Sequence, residues 1–238
     1  MIELELADGL AVVTINRPHA RNAIALDTMD ELDEAIDGAA GARALVITGA
    51  GDRAFVSGGD LEELAALRTV KQASAMADRM REVCDKIARF PGPVLAALNG
   101  HALGGGAEVA VAADIRIAAD DIRIGFNQVA LAIMPAWGGA ERLARLVGRG
   151  RALLLAGSGE ILSAADAERI GLVDRVLPRA EFGTGWRALA RSLANPSAGA
   201  IKRVVDGASP QEAVAAFAEL WVADAHWAAA DRVMNRGK

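Results

Sequence analysis

The chain has 238 residues, 53% of them hydrophobic and 24% charged, enough to bury a core without a disulfide or metal staple. Tyrosine is absent, Cys84 is the single cysteine, and the three histidines (His19, His101, His226) are scattered, which excludes a tyrosine general acid and an intrachain disulfide and leaves no metal site expected. The net charge of −5 gives no electrostatic footprint for nucleic acid, so no nucleic-acid partner is expected.

The opening MIELELADGL carries Glu3, Glu5 and Asp8, lacks the basic end and apolar stretch of a secretory signal, and reads as mature, cytoplasmic sequence. Short apolar runs punctuated by Gly, Pro or Asn predict buried strands at Ala11 to Ile15, Ala44 to Thr48, Val94 to Leu98, Ile115 to Ala118 and Leu172 to Leu177. Between them, Leu26, Met29, Leu32, Ile36 and Ala39 recur at helical spacing with Asp27 as N-cap, and Ser74 to Phe90 carries a second apolar stripe that Pro91 stops. Alternation of strand and helix predicts an α/β architecture with mainly parallel pairing. Two uncharged stretches, Pro91 to Ala107 and Ile124 to Ala140, are too short and too interrupted to span a membrane; they read as buried strands and loops. From Asn195 the pattern is helical to Lys238, with starts at Pro196 and Pro210, so the chain divides into a core at 1–194 and a helical C-terminal region at 195–238.

Two glycine-rich places follow strand-like runs and open helical patterns: Ser57-Gly58-Gly59-Asp60-Leu61, and Gly104-Gly105-Gly106-Ala107-Glu108. Backbone amides at such turns can face a ligand with little side-chain obstruction, although a single glycine turn is as readily ordinary turn chemistry. Neither loop has the lysine ending of a phosphate loop or the spaced glycines of a dinucleotide fingerprint. Glu108 lies three residues after Gly105, one helical turn on, amid Ala107, Val109, Ala110 and Val111. A carboxylate in so apolar a segment is a candidate for proton transfer with a raised pKa; the alternative is a buried ion pair with an arginine such as Arg142.

Taken in order, Asn16-Arg17-Pro18 with Asn22-Ala23, Ala54-Phe55 to Asp60, Asn99-Gly100 to Glu108, Ala113 to Arg116, Pro135 to Gly139 with Arg142, and Ala167 to Val173 resemble the enoyl-CoA hydratase/isomerase (crotonase) family. The resemblance implies a spiral of ββα turns closed by helices that pack trimers or dimers of trimers. It also implies an acyl-CoA substrate, with coenzyme A part of that substrate and no further cofactor. The thioester oxygen would lie between the amides of Gly59 and Gly105, with Glu108 as the proton-transfer residue. Ala20, Arg21, Ser57, Gly58, Asp60 and Leu61 match positions lining the coenzyme A site, and Ala136 and Trp137 fall where the acyl pocket is expected. Asp114 and Arg116 match scaffold.

The chain departs from that family where a second glutamate is expected. Counting back seven residues from Pro135 lands on Gln128, and no acid lies between Arg123 and Glu141. Gln128 can orient a group but cannot accept a proton, so the chemistry falls on Glu108. A lyase that hydrates or isomerises an enoyl thioester is the leading expectation. The rivals are an alkylmalonyl-CoA decarboxylase, since Trp137 and His226-Trp227 resemble the branch that includes ethylmalonyl-CoA decarboxylase, and a catalytically weak acyl-CoA binder.

Overall fold

The computed structural model describes residues 1–235. Ten strands run in chain order as β1 (Ile2–Ala7), β2 (Leu10–Ile15), β3 (Ala44–Gly49), β4 (Ala54–Val56), β5 (Val94–Leu98), β6 (His101–Leu103), β7 (Ile115–Ala119), β8 (Arg123–Gly125), β9 (Ile161–Ser163) and β10 (Arg175–Leu177). They form a large sheet in the order β1-β2-β3-β5-β7-β10 and a small one in the order β4-β6-β8-β9. Three successive passes of the chain, β3 then β4, β5 then β6, β7 then β8, each lay one strand in the large sheet and the next in the small one, which is the expected spiral. Strands β3 and β5 are buried along their whole length, as continuous apolar runs in parallel sheets should be.

Four of the five expected strands match closely, and the fifth is shorter: only Arg175–Leu177 pairs, because Leu172 and Val173 donate instead to the Ala167 carbonyl in a turn. Strand β1 was not expected. It pairs antiparallel with β2 around Asp8-Gly9, both in the left-handed region (φ 54° and 81°), the backbone a two-residue hairpin turn needs.

Helices α1 (Leu26–Gly38), α2 (Leu61–Leu64), α3 (Val70–Ala88), α4 (Gly105–Ala110), α5 (Gly139–Val147) and α6 (Arg149–Ser158) follow the strands, and α7 (Ala164–Arg169) and α8 (Arg179–Leu193) flank β10. The N-cap of α1 is Ala25, not Asp27, which sits inside the first turn where its charge still favours the helix end. Helix α3 starts four residues earlier than its apolar stripe, because Thr69 and Gln72 form a capping box ahead of the stripe. Of the two uncharged stretches, Pro91 to Ala107 is the centre of the fold, but Val129 to Met134 in the second lies on the surface, in and just after the short 3₁₀ helix Asn127–Leu131.

The scaffold charges pair over long distances and not with one another. Arg116, buried, binds Asp174 at 2.7 Å and the carbonyls of Leu172 and Ala113 at 2.8 Å. Asp114 instead meets Lys202 at 2.8 Å, which ties α9 (Ala198–Val205) to the core. Beyond it, α10 (Pro210–Val222) and α11 (Asp224–Met234) bury no residue, and Phe217, Trp221, His226 and Trp227 stack on one another in the open. Among the described residues no helix is long and apolar enough to cross a membrane.

Helix α4 can dock on β4 only through a bare backbone: a Cβ at Gly106 would collide with the Val56 carbonyl oxygen. Gly106→Ala must therefore push α4 away from the small sheet, and a loss of stability of about 1–3 kcal/mol, the range of an overpacked core, is expected in urea unfolding. An unchanged midpoint would show that the contact is slack.

Candidate active site

Parallel pairing places three strand ends side by side. Ala54 and Val56 of β4 pair with His101 and Ala102 of β6, and Ala102 and Leu103 pair with Ile124 and Gly125 of β8. Leaving those ends, the chain carries Ser57 to Gly59 from β4, Gly104 to Glu108 from β6, and Asn127 and Gln128 from β8. A Cβ at Gly58 would lie 3.6 Å from the Gly105 nitrogen, so the two glycine loops touch, and positive φ at Gly58 (114°) and Gly104 (55°) turns each one.

The amides of Gly59 and Gly105 stand outside the regular pairing. On either side of Gly59 the bridge to Ile24 uses Ile24 N to Gly58 O (2.9 Å) and Asp60 N to Ile24 O (2.8 Å). Gly105 is the first residue of α4, where an N–H has no acceptor within its own helix. The Trp137 ring covers both: a Cβ at Gly105 would strike its six-membered ring, and one at Gly59 would lie 3.9 Å from its Cζ2. Only glycine leaves room for the indole at Gly105.

Glu108 is 2% exposed, and both carboxylate oxygens are occupied. Oε2 accepts from the Trp137 N–H at 2.7 Å and the Gly139 N–H at 2.9 Å, and Oε1 accepts from Gln128 Nε2 at 2.9 Å. The Gln128 Oε1 atom, also buried, has no hydrogen-bond partner. Arg142 does not pair with Glu108; it binds Asp85 and the Trp137 carbonyl. Without a cation against it, burial dominates, and it raises the Glu108 carboxyl above its ordinary value although the amides of Gly139, Trp137 and Ala136 and the Gln128 side chain pull the other way.

These groups line a cavity of about 560 Å³. Of the residues the sequence pointed to, Ser57, Gly58, Gly59, Leu61, Gly105, Glu108, Gln128, Ala136 and Trp137 are on its wall, and Glu108 is the sole acid there. Ala20, Arg21 and Asp60 are not on it. Ala20 ends a 3₁₀ turn, Arg21 is exposed with a left-handed backbone (φ 53°), and Asp60 turns inward to Arg17 at 2.9 Å.

That buried arginine stands in the Asn16-Arg17-Pro18 motif, which by itself points to no role for its side chain. Arg17 also binds Glu63 at 2.8 Å and the Ala23 carbonyl at 2.6 Å, fixing α2, which supplies Leu61 and Leu64 to the wall. Arg68, the one cation on the wall among the described residues, was missed, since a single arginine before a helix carries no motif. His101 serves the scaffold through its Nδ1, which accepts from the Arg123 N–H at 3.0 Å. Among the described residues no group of acids, histidines and cysteine could hold a metal ion.

A spiral of two unequal sheets, with paired glycine amides and one buried carboxylate at the edge of the smaller, defines a crotonase-type α/β protein. Comparison with known proteins agrees. The family model for enoyl-CoA hydratase/isomerase matches residues 5–219. Over 202 residues the chain is 38% identical to the short-chain-enoyl-CoA hydratase of Clostridium acetobutylicum, covering 84% of this chain and 77% of that relative. An enoyl-CoA hydratase from Bacillus anthracis superposes with a TM-score of 0.84 at 30% identity, covering 92% of this chain and 89% of that one. Pseudomonas aeruginosa DspI superposes with a TM-score of 0.89 at 31% identity, covering 99% and 94%. The chain belongs to the enoyl-CoA hydratase/isomerase family and is an enzyme of that type.

Because its carboxyl is raised in the folded chain, stability linked to Glu108 is present below the unfolded pKa and is lost as pH rises through the folded one. Glu108→Gln removes the ionisation while keeping the shape. The stability difference, variant minus parent, is expected to become more positive from acid to neutral pH, measured by urea unfolding at each pH. A difference that stays flat would mean that Glu108 ionises in the fold as easily as in water.

Proposed function

We propose that this chain hydrates short-chain 2-enoyl-CoA thioesters with one carboxylate. The observation that carries the proposal is the pairing of Glu108 with Gln128. Two amides fix Glu108 Oε2, while Oε1, bonded to Gln128 Nε2, keeps a second lone pair beside an amide oxygen that has no partner. A water entering between these two acceptors would give one hydrogen to each.

In this reading Glu108 enters as the carboxylate and takes one proton from water as the oxygen bonds to the β-carbon. The π electrons move toward the thioester oxygen, and the Gly59 and Gly105 amides hold the resulting enolate oxyanion, a donor pair of a kind worth about 2.7–4 kcal/mol per donor where one has been removed. Glu108 then returns the proton to the α-carbon, so both atoms of hydrogen and the oxygen of one water are added and the carboxylate is regenerated. Gln128 orients the water and takes no proton. A raised carboxyl pKa serves both halves, because the acid that forms is neither too weak nor too strong near neutral pH. Ser57, Gly58, Leu61 and Ala136 line the substrate path, Trp137 forms the wall beside the α-carbon, and no cofactor is needed beyond the coenzyme A that the substrate carries.

A second reading has one observation in its favour: the absence of a second acid on the wall. Loss of CO₂ from an alkylmalonyl-CoA leaves the same enolate, and one protonated Glu108 suffices to finish it. Crotonyl-CoA and ethylmalonyl-CoA, offered separately, divide the readings. Hydration, followed as loss of the conjugated thioester absorbance, is expected to fall about 10²–10⁴-fold in Glu108→Gln, the usual weight of a general acid–base group. CO₂ release without hydration would assign the second reading instead.

The exposed stack of Phe217, Trp221 and Trp227 belongs to the same proposal as a contact between copies in a trimer or a dimer of trimers. Light scattering at micromolar concentration is expected to give a multiple of three chains. A monomer would remove this part and leave the chemistry standing.

A further inference from the structure

Two helices behind the cavity are tied to each other and to the turn that grips Glu108. Arg142, on α5, sends Nη1 to the Trp137 carbonyl at 3.1 Å and Nη2 to Asp85 on α3, while its backbone N–H meets the Gly138 carbonyl at 3.3 Å. The backbone of Trp137 is therefore held on both sides of its Cα, its N–H by Glu108 and its carbonyl by the guanidinium. The next two residues are glycines, and Gly138 has a φ of 86°. Glycine gives such a segment a wide choice of backbone conformations, and a rotation of the 137–138 peptide would carry the Gly139 N–H away from Glu108 Oε2. A side chain at Gly138 would collide with Arg142 Nη1, so the glycine also admits the guanidinium to its place.

We propose that Arg142 and Asp85 are positioning residues for Glu108: the carboxylate of Asp85 aims the guanidinium, the guanidinium pins the Trp137 carbonyl, and the pinned turn presents two amides to Glu108. This rests on the reading of Glu108 as the proton-transfer group. The pair also sets the charge that Glu108 meets. Around it stand Arg81, Cys84 and Asp85 from α3, Glu141 and Arg142 from α5, and Gln128 and Arg68 on the cavity wall. Burial pushes the Cys84 thiol up to about 12, so it is neutral; Arg81 binds Glu141 at 2.8 Å, and Arg142 binds Asp85. Arg81 and Arg142 are thus each matched by an anion, which is why burial dominates the state of Glu108.

Removing one half of the pair must then act in opposite directions. Asp85→Asn leaves the Arg142 cation unmatched and is expected to lower the pKa of Glu108. Arg142→Gln leaves the Asp85 anion unmatched, loosens the two amides, and is expected to raise it. The reversal reports the charge of the pair, and a fall in kcat at little-changed KM reports the positioning.

The experiment titrates the Glu108 carboxyl by difference infrared spectroscopy, its band identified by its loss in Glu108→Gln, in the parent, Asp85→Asn, Arg142→Gln and Arg142→Lys. Crotonyl-CoA hydration is measured on the same samples. Opposite shifts support the proposal, together with a kcat about 100-fold lower in Arg142→Gln at little-changed KM, the size of loss that a slight misplacement brings. Partial recovery of kcat in Arg142→Lys, which keeps the charge but not the fork, adds to that support. Equal or absent shifts in Asp85→Asn and Arg142→Gln overturn it. If Arg142→Gln does not fold, the downward shift in Asp85→Asn, or its absence, decides. If the parent does not hydrate crotonyl-CoA and yet the carboxyl shifts in opposite directions, the hydratase reading fails while the positioning stands.

Discussion

Parallel pairing of β4 with β6 and of β6 with β8 brings three strand ends to one edge, and the chemistry of this chain hangs from that edge. Gly59, Gly105 and Gln128, separated by 46 and 23 positions in sequence, become neighbours because successive turns of the spiral each spend one strand in the small sheet. The edge in turn depends on close backbone approach. Gly106 lies against Val56, and Gly100 against Ala54. Asn22 and Asn99 complete the clamp through their side chains: the Ala54 carbonyl accepts from Asn22 Nδ2 at 2.7 Å, and Asn99 Oδ1 accepts from the Gly49 N–H at 2.9 Å. The asparagines and glycines of the sequence motifs are thus largely the fasteners that hold the loops in register.

Glu108 illustrates how opposing terms set the state of a group. Several kcal/mol are lost when a carboxylate leaves water, and each hydrogen bond to a charged acceptor returns about 1.5–3 kcal/mol. With two backbone donors on Oε2 and the Gln128 amide on Oε1, the terms come close to balance, and burial retains the upper hand. A fourth strong donor or a facing cation would tip the group to a permanent carboxylate. The fold keeps the Arg142 guanidinium occupied with Asp85 and a carbonyl, and so leaves Glu108 able to change its charge.

Much of this was legible in the sequence, for definite reasons. Buried parallel strands leave uninterrupted apolar runs, so β2, β3, β5 and β7 could be read to within a residue or two. Glycines ahead of a lone acid in an alanine-rich segment pointed to Glu108. The three-residue strands of the small sheet could not be read, because so short a strand has no period to detect; their pairing is set by the large sheet and by the glycine contacts. Strand β1 was missed for a different reason, since its alternation of Ile2, Leu4 and Leu6 with acids, followed by Asp8-Gly9, is a hairpin pattern in plain view. Long-range charge pairs such as Arg17 with Asp60 and Arg142 with Asp85 leave no local trace, which is why the contact of the Asp60 carboxylate with Arg17 is not readable from the sequence.

The unpartnered oxygen of Gln128, like Arg17 Nε and Thr28 Oγ1 among the described residues, carries a cost that packing does not explain. A buried acceptor without a donor costs about 1–3 kcal/mol, and native structures carry few of them. Rotating the amide would not remove the cost while Glu108 is charged, since the oxygen would then face the carboxylate and two acceptors would meet. Protonation of Glu108 reverses the preference, because a carboxyl O–H can donate to the rotated amide oxygen and satisfy both groups. The cost therefore belongs to the charged state alone, and it is relieved either by a donor arriving at the oxygen or by a proton arriving at Glu108. Those are the two events that a hydration requires of this site, water binding first and proton uptake next, and a glutamate in place of Gln128 would bring a second charge to the first and compete for the second.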